Sequence, residues 1–110
     1  MQFARLSTRF YVAHQITAED LPAIGAAGYK TIINNRPDGE QVDQPFSSDL
    51  ATEAARLNIA YFYLPVVGGS ISDKDVDAFK QASESIYSPI LMFCRTGARC
   101  RELWERSELD

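Results

Sequence analysis

Leu91-Met92-Phe93-Cys94-Arg95-Thr96-Gly97-Ala98-Arg99 is the stretch that decides the reading of this chain. Its apolar start has the character of the end of a fully buried strand, while Arg101-Glu102-Leu103-Trp104-Glu105 mixes charged and apolar residues as an exposed helix does. A loop joining the two turns its backbone N–H groups into one concavity at the positive end of that helix. Those donors, with Arg95 and Arg99 close by, lower the pKa of Cys94 and populate its thiolate at neutral pH. The same donors can hold an oxyanion. Gly97 supplies the residue without a Cβ that such a loop needs for positive φ or for close approach of a ligand. A lone strand cysteine is ordinarily just a small buried apolar residue, but the glycine and arginines at these spacings favour a nucleophile.

Working outward, strands and helices alternate. Arg9 to Ala13 reads as a strand paired with Phe3 to Leu6. Thr17 caps a helix through Leu21, Ile24 and Ala27, with Pro22 in its first turn and Gly28 as its C-terminal stop. Tyr29 to Asn34 is a second strand, followed by a turn-rich loop, Arg36-Pro37-Asp38-Gly39-Glu40, that continues to Pro45. A helix starting at Ser47 or Ser48 runs through Leu57, and Ile59 to Val66 is the next strand. Ser72 caps a helix reaching Ile86, and Pro89 to Phe93 is the last strand. This order predicts one α/β domain over residues 1–110, a three-layer α/β/α arrangement around a mostly parallel sheet. Ligands of such sheets bind at the carboxyl ends of the strands, where Cys94 lies.

Composition narrows the function. A chain of 110 residues that is 45% hydrophobic has room for one modest core. Its net charge of −4 argues against nucleic acid or an anionic membrane as partner, while Arg95, Arg99 and Arg101 gather positive charge around Cys94. That favours a small anionic substrate. No run approaches the roughly 20 apolar residues of a membrane span, and Met1-Gln2-Phe3-Ala4-Arg5 lacks the features of a secretion signal, so a cytoplasmic setting is expected. Two cysteines make no disulfide framework, and with a single histidine they make no metal site; no cofactor is expected.

Several blocks carry a family resemblance: Phe10-Tyr11-Val12-Ala13, Gln15-Ile16-Thr17, Ile32-Ile33-Asn34-Asn35-Arg36-Pro37-Asp38-Gly39-Glu40, Leu64-Pro65-Val66 and Cys94-Arg95-Thr96-Gly97. On these the chain resembles the phosphatase-like domain of beta-lactamase-hydrolase-like proteins, also called a sulfur transferase family. The resemblance covers nearly the whole chain, and the long central block is its most specific part. It implies a fold like that of dual-specificity phosphatases. It also implies, from fusions in some relatives, a partner similar to persulfide dioxygenases.

Phosphatases of that fold separate cysteine and arginine by five residues, whereas four separate Cys94 from Arg99, and Cys100 occupies the sixth position. The loop is instead similar to the shorter one common in rhodaneses, whose cysteine carries sulfane sulfur as a persulfide. Phosphatase chemistry also calls for a general acid, usually an aspartate on the loop before the final helix and strand, and Pro65-Val66-Val67-Gly68-Gly69-Ser70 offers none. Asp73 and Asp75 are explained as helix-capping residues, and Asp38 can substitute only if its loop folds over Cys94. The sequence therefore favours a sulfurtransferase moving sulfur from thiosulfate or a persulfide to a thiol. A phosphatase working through a Cys94 phosphocysteine is the alternative, and a domain that binds a sulfur species or phospho-ligand without turnover is the third reading.

In the favoured reading Cys94 is nucleophile and sulfur carrier, and Arg99 is the main side-chain anion ligand. Backbone N–H groups over Arg95, Thr96, Gly97 and Ala98 complete the cradle. Cys100 stands where the resemblance implies serine, whose hydroxyl can bond the nucleophilic sulfur; a resolving thiol is the sharper reading and a stand-in for serine the plainer one. Arg36, Asp38 and Glu40 read first as a solvated turn. The resemblance turns Asn35 and Arg36 toward the pocket, so Asn35, Arg36 and Asp38 are carried as substrate-binding candidates. Tyr61, Phe62 and Tyr63 read as sheet packing.

Overall fold

The computed structural model describes residues 3–110. Its centre is built from two four-residue runs with every side chain buried, Thr31–Asn34 (β3) and Ile90–Phe93 (β5). Such runs suit a strand covered on both faces. Ala4–Arg5 (β1), Phe10–Ala13 (β2) and Ala60–Tyr63 (β4) complete one sheet in the order β1-β2-β5-β3-β4. Only β1 runs antiparallel; the other four strands are parallel. Structural description thus agrees with the expected mostly parallel sheet, with an antiparallel edge added.

Alternation of side chains along the strands sorts the core into two layers. Phe10, Val12, Ile33, Ile90 and Met92 face Val76, Phe79 and Leu103 from Asp73–Ser83 (α3) and Ala98–Ser107 (α4). Ile32, Leu91 and Phe93 face Leu21, Ile24, Leu50 and Ala54 from Leu21–Ala26 (α1) and Ser47–Arg56 (α2). None of these helices is long and apolar enough to cross a membrane.

Local chemistry explains where elements begin. Thr17 and Asp20 form a reciprocal capping box that opens a short 3-10 turn, Ala18–Asp20, leading into α1, with Pro22 at its tolerated position. Ser72 and Asp75 do the same for α3. Most boundaries fall within two residues of the sequence expectation, and three shift by three residues. The strand expected over Ile59 to Val66 ends at Tyr63, yet Leu64 and Val66 still donate to the carbonyls of Asn34 and Asn35, so the extended chain continues past Pro65 as a loose rung. α3 stops at Ser83, whose hydroxyl turns back onto the Phe79 carbonyl, rather than reaching Ile86. The last helix begins at Ala98, three residues before Arg101, so the cysteine loop is shorter than the flanking composition suggests. Met1 and Gln2, part of the segment read above for a secretion signal, lie outside the described residues.

Register aligns the carboxyl ends of the parallel strands, pairing Ala13 with Phe93, Asn34 with Phe93 and Asn34 with Tyr63. His14, Cys94, Asn35 and Leu64 therefore leave the sheet along one edge. Leu91 sits at the middle of this assembly, fully buried and flanked by strands on both sides. Leu91→Ala should lower stability by about 2–5 kcal/mol in urea denaturation, whereas Val42→Ala, at a fully exposed position, should change it by less than about 0.5 kcal/mol.

Candidate active site

Cys94 is the first residue past β5 and is completely buried. The chain then turns through Arg95 and Thr96, both exposed, to Gly97, whose φ of 95° puts it in the left-handed region. A Cβ there would lie 3.1 Å from Val12 Cγ2, so both conformation and space call for glycine. This turn reverses the chain directly into α4, and the first intrahelical bond runs from the Arg101 N–H to the Gly97 carbonyl at 3.1 Å. The N–H groups ahead of it have no partner within the helix. Gly97 donates to Cys94 Sγ at 3.0 Å, and the N–H groups of Cys100, Arg99 and Thr96 also favour the anionic sulfur.

The Cys94 pKa falls to about 5, first through the hydrogen bond from the Cys100 thiol and then through these backbone donors, against the opposing effect of burial. Cys100, also completely buried, is pushed the other way by burial and by the neighbouring thiolate. The two thiols thus divide into one anion and one proton donor, both free of disulfide bonds. The two sequence readings of Cys100, stand-in for serine and resolving thiol, both require this proximity.

Arg99 lies in the first turn of α4, but its guanidinium is engaged. It donates to both oxygens of Glu40, at 2.8 and 2.9 Å, and to the Val66 carbonyl at 3.1 Å. Glu40 in turn accepts from Arg36 Nε at 2.9 Å. Two guanidinium groups on one carboxylate drive the Glu40 pKa down to about 2, with the Arg99 hydrogen bond the leading cause. Glu40 was read from sequence as a residue of a solvated turn; its i,i+4 spacing from Arg36 is the signal that pointed elsewhere.

The structure places the remaining candidates in distinct roles. Arg36 is buried beneath the polar loop and donates to Glu40, to Gln15 Oε1 at 2.9 Å and to Gln41 Oε1 at 3.0 Å. Its charge therefore anchors the loop to the sheet edge, in contrast to the open binding role carried from the sequence. Asn35 is buried between the strand ends: its N–H donates to the Phe93 carbonyl at 2.9 Å and its side-chain amide to the Leu64 carbonyl at 2.8 Å. Asp38 does not fold over Cys94; its Oδ1 accepts the Ser47 N–H at 2.8 Å and so caps the start of α2. Thr96 Oγ1 accepts from the Ala98 N–H at 3.4 Å, stiffening the turn, and the Arg95 carbonyl accepts the Gln15 N–H at 3.2 Å. Gln41 was not singled out in the sequence and Gln15 only as part of a resemblance block, since nothing in their spacing marks an uncharged amide as a partner for a buried arginine. Tyr61 and Tyr63 go beyond the sheet packing expected of them: Tyr61 bonds Asn34 and Ser47, and the Tyr63 hydroxyl accepts the Asp38 N–H at 2.9 Å.

Two measurements follow. Alkylation of Cys94 in the Cys100→Ala variant should titrate with a higher midpoint than in the parent, whose midpoint should lie near pH 5. Glu40 has a folded pKa below its unfolded value, so its contribution is fully present above about pH 4.5 and is lost as pH falls toward 2. Glu40→Gln should cost about 1.5–3 kcal/mol at pH 7 and flatten the stability profile across that acidic window, as read by denaturation at a series of pH values.

Comparison with known proteins matches this geometry. Residues 2–109 fit the family model described as the beta-lactamase hydrolase-like protein, phosphatase-like domain. A beta-lactamase hydrolase-like protein of Agrobacterium fabrum is 33% identical over 108 residues, which is 98% of this chain and 25% of the relative. This chain therefore spans about a quarter of the length of the curated relatives it matches. Among solved structures, one from Neisseria meningitidis described only as a candidate phosphatase is 36% identical, with a TM-score of 0.84 over 91% of this chain and 71% of that one. The catalytic core of the yeast PP-IP phosphatase SIW14 shares the fold at 16% identity, with a TM-score of 0.63 over 86% of this chain and 56% of that one. The family model is described as phosphatase-like and the Neisseria relative as a candidate phosphatase, in line with the phosphatase alternative rather than the sulfur transfer favoured from the sequence, while the SIW14 likeness shows the fold alone. On the family match over residues 2–109, the chain belongs to the phosphatase-like domain family of beta-lactamase hydrolase-like proteins.

Proposed function

We propose that this domain is a cysteine-dependent phosphoric monoester hydrolase. The observation that carries the reading is a buried thiolate at the amino end of α4, ringed by backbone donors, with an arginine in the helix's first turn. In this scheme Cys94 Sγ attacks phosphorus, a P–S bond forms as the P–O bond to the leaving group breaks, and a phosphocysteine results. Water then attacks phosphorus, inorganic phosphate leaves, and sulfur recovers its electron pair. The N–H groups over Arg95 to Ala98 stabilise the transferred oxygens, and Arg99 adds its charge by sharing or releasing Glu40. Asn35 and Arg36 serve the reaction by fixing the strand ends and the loop that presents Glu40.

Sulfur transfer is the second reading, favoured by the four-residue spacing that places Arg99 on α4 and by the absence of an acid in Pro65 to Ser70. There Cys94 would attack the sulfane sulfur of thiosulfate, release sulfite, and pass the sulfur on to a thiol. A reducing cytoplasmic setting with a persulfide-consuming partner belongs to that reading.

Paired assays of one preparation separate the two. Phosphate release from an aryl phosphate should be measurable and should fall by about 10³-fold or more in Cys94→Ser. Sulfite release from thiosulfate plus thiol, dependent on Cys94 and unaccompanied by phosphate release, would replace the hydrolase with the transferase. Ligand binding with neither activity would leave only a binding domain.

A further inference from the structure

One polar atom beside the nucleophile is left without a partner by the fold. Asn35 is completely buried; its backbone N–H donates to the Phe93 carbonyl at 2.9 Å and its carbonyl accepts the Val66 N–H at 3.0 Å. Its side-chain nitrogen donates to the Leu64 carbonyl at 2.8 Å, so the amide cannot be turned end for end without setting oxygen against oxygen. Its Oδ1, equally buried, has no donor among the described residues. A buried acceptor is expensive to leave unpaired, and one held this firmly calls for a donor that is present in some state of the site.

Placement shows what the oxygen lies beside. Asn34 pairs with Phe93, and the Asn35 N–H continues that ladder, which sets Asn35 across from Cys94 on adjacent parallel strands. Side chains alternate, so Asn35 follows Ile33, and Cys94 follows Met92, onto the face that α4 covers. The first turn of α4 comes down over the same spot: Arg99 donates to the Val66 carbonyl at 3.1 Å, and the Val66 N–H is the one bonded to Asn35. The next residue of that turn is Cys100, buried in the same layer as Cys94 and Val66. Among the buried members of that apolar cluster, only the two cysteines carry hydrogen on a heteroatom. The indole N–H of Trp104 is likewise unpaired and does not reach Asn35. The charged groups next to the pair are Arg99 and, behind it, Glu40, which bond each other, while α3 brings only Val76 and Phe79 to this layer.

We propose that Asn35 is a positioning residue whose Oδ1 receives the Cys100 S–H whenever Cys94 stops being an anion. The Cys100 thiol then has two acceptors: Cys94 Sγ in the free thiolate, and Asn35 Oδ1 once that sulfur is neutral or carries a covalent group. Only the hydrogen swings about the Cβ–Sγ bond, and the proton stays on Cys100, whose pKa burial pushes up. The thiolate is steadied before it reacts, and the donor is not stranded when the charge on Cys94 disappears, which favours formation of the adduct. This holds for a phosphoryl and a sulfane adduct alike.

The experiment uses the full chain and its two cysteines. Cys94→Ala leaves Cys100 as the only thiol, whose hydrogen bond is read from the S–H stretch by infrared spectroscopy. In Cys94→Ala the band should lie at the lowered frequency of a bonded thiol, and adding Asn35→Leu, or Asn35→Ala as a second variant, should move it up to that of a free one. A free thiol already in Cys94→Ala, or a bonded band that neither change at Asn35 moves, would overturn the inference. The pH dependence of Cys94 alkylation gives a second readout. Loss of the acceptor used by the neutral state should lower the midpoint by about half to one pH unit in Asn35→Leu, and should leave it unmoved when Cys100 is already replaced by alanine. An equal shift with and without Cys100 would set Asn35 against Cys94 itself and end the proposed role.

Discussion

The start of α4 sets the terms for everything around it. A helix that begins immediately after a buried strand leaves its first N–H groups inside the protein, where an unpaired donor is costly. Cys94 meets that demand as an anion, and the demand in turn keeps the sulfur ionised. Capping and nucleophile activation are one interaction seen from its two ends. The left-handed turn at Gly97 is what allows the same loop to do both, since any side chain there meets Val12.

A second anion is arranged differently. Glu40 reaches the site from a loop and is held by charges rather than by helix donors. Its position makes Arg99 partly neutralised before any ligand arrives, and the sulfur is held as an anion first by the Cys100 thiol and then by the backbone donors at the helix end. In the proposed hydrolysis, Arg99 acts when an incoming anion competes for it.

The sheet, its central strands and the cysteine loop were legible in the sequence because each rests on local signals: uninterrupted apolar runs, capping residues at Thr17 and Ser72, and a glycine between cysteine and arginine. Element ends were less legible, since Leu64 and Val66 keep strand-like bonds beyond the ladder and Ala98 joins the last helix despite its turn-like neighbours. Of the contacts around Arg36, only the one with Glu40, four residues on, carries a sequence signal. Gln15 lies 21 positions before it, and Arg99 lies 59 positions after Glu40; only the folded register brings them together. Chemistry too was only half readable: the thiolate follows from the loop, whereas the preference proposed for phosphorus over sulfur draws on the relatives' descriptions.

The burial of Arg36 has an ionic consequence. Exposed pairs such as Arg56 with Glu53 are weakened by salt, because counterions reach both partners. Arg36, at 2% exposure, is out of their reach. Raising ionic strength will therefore screen the approach of an anion past Arg95 at the rim while the polar loop keeps its place, so salt acts on capture and leaves the architecture of the pocket alone.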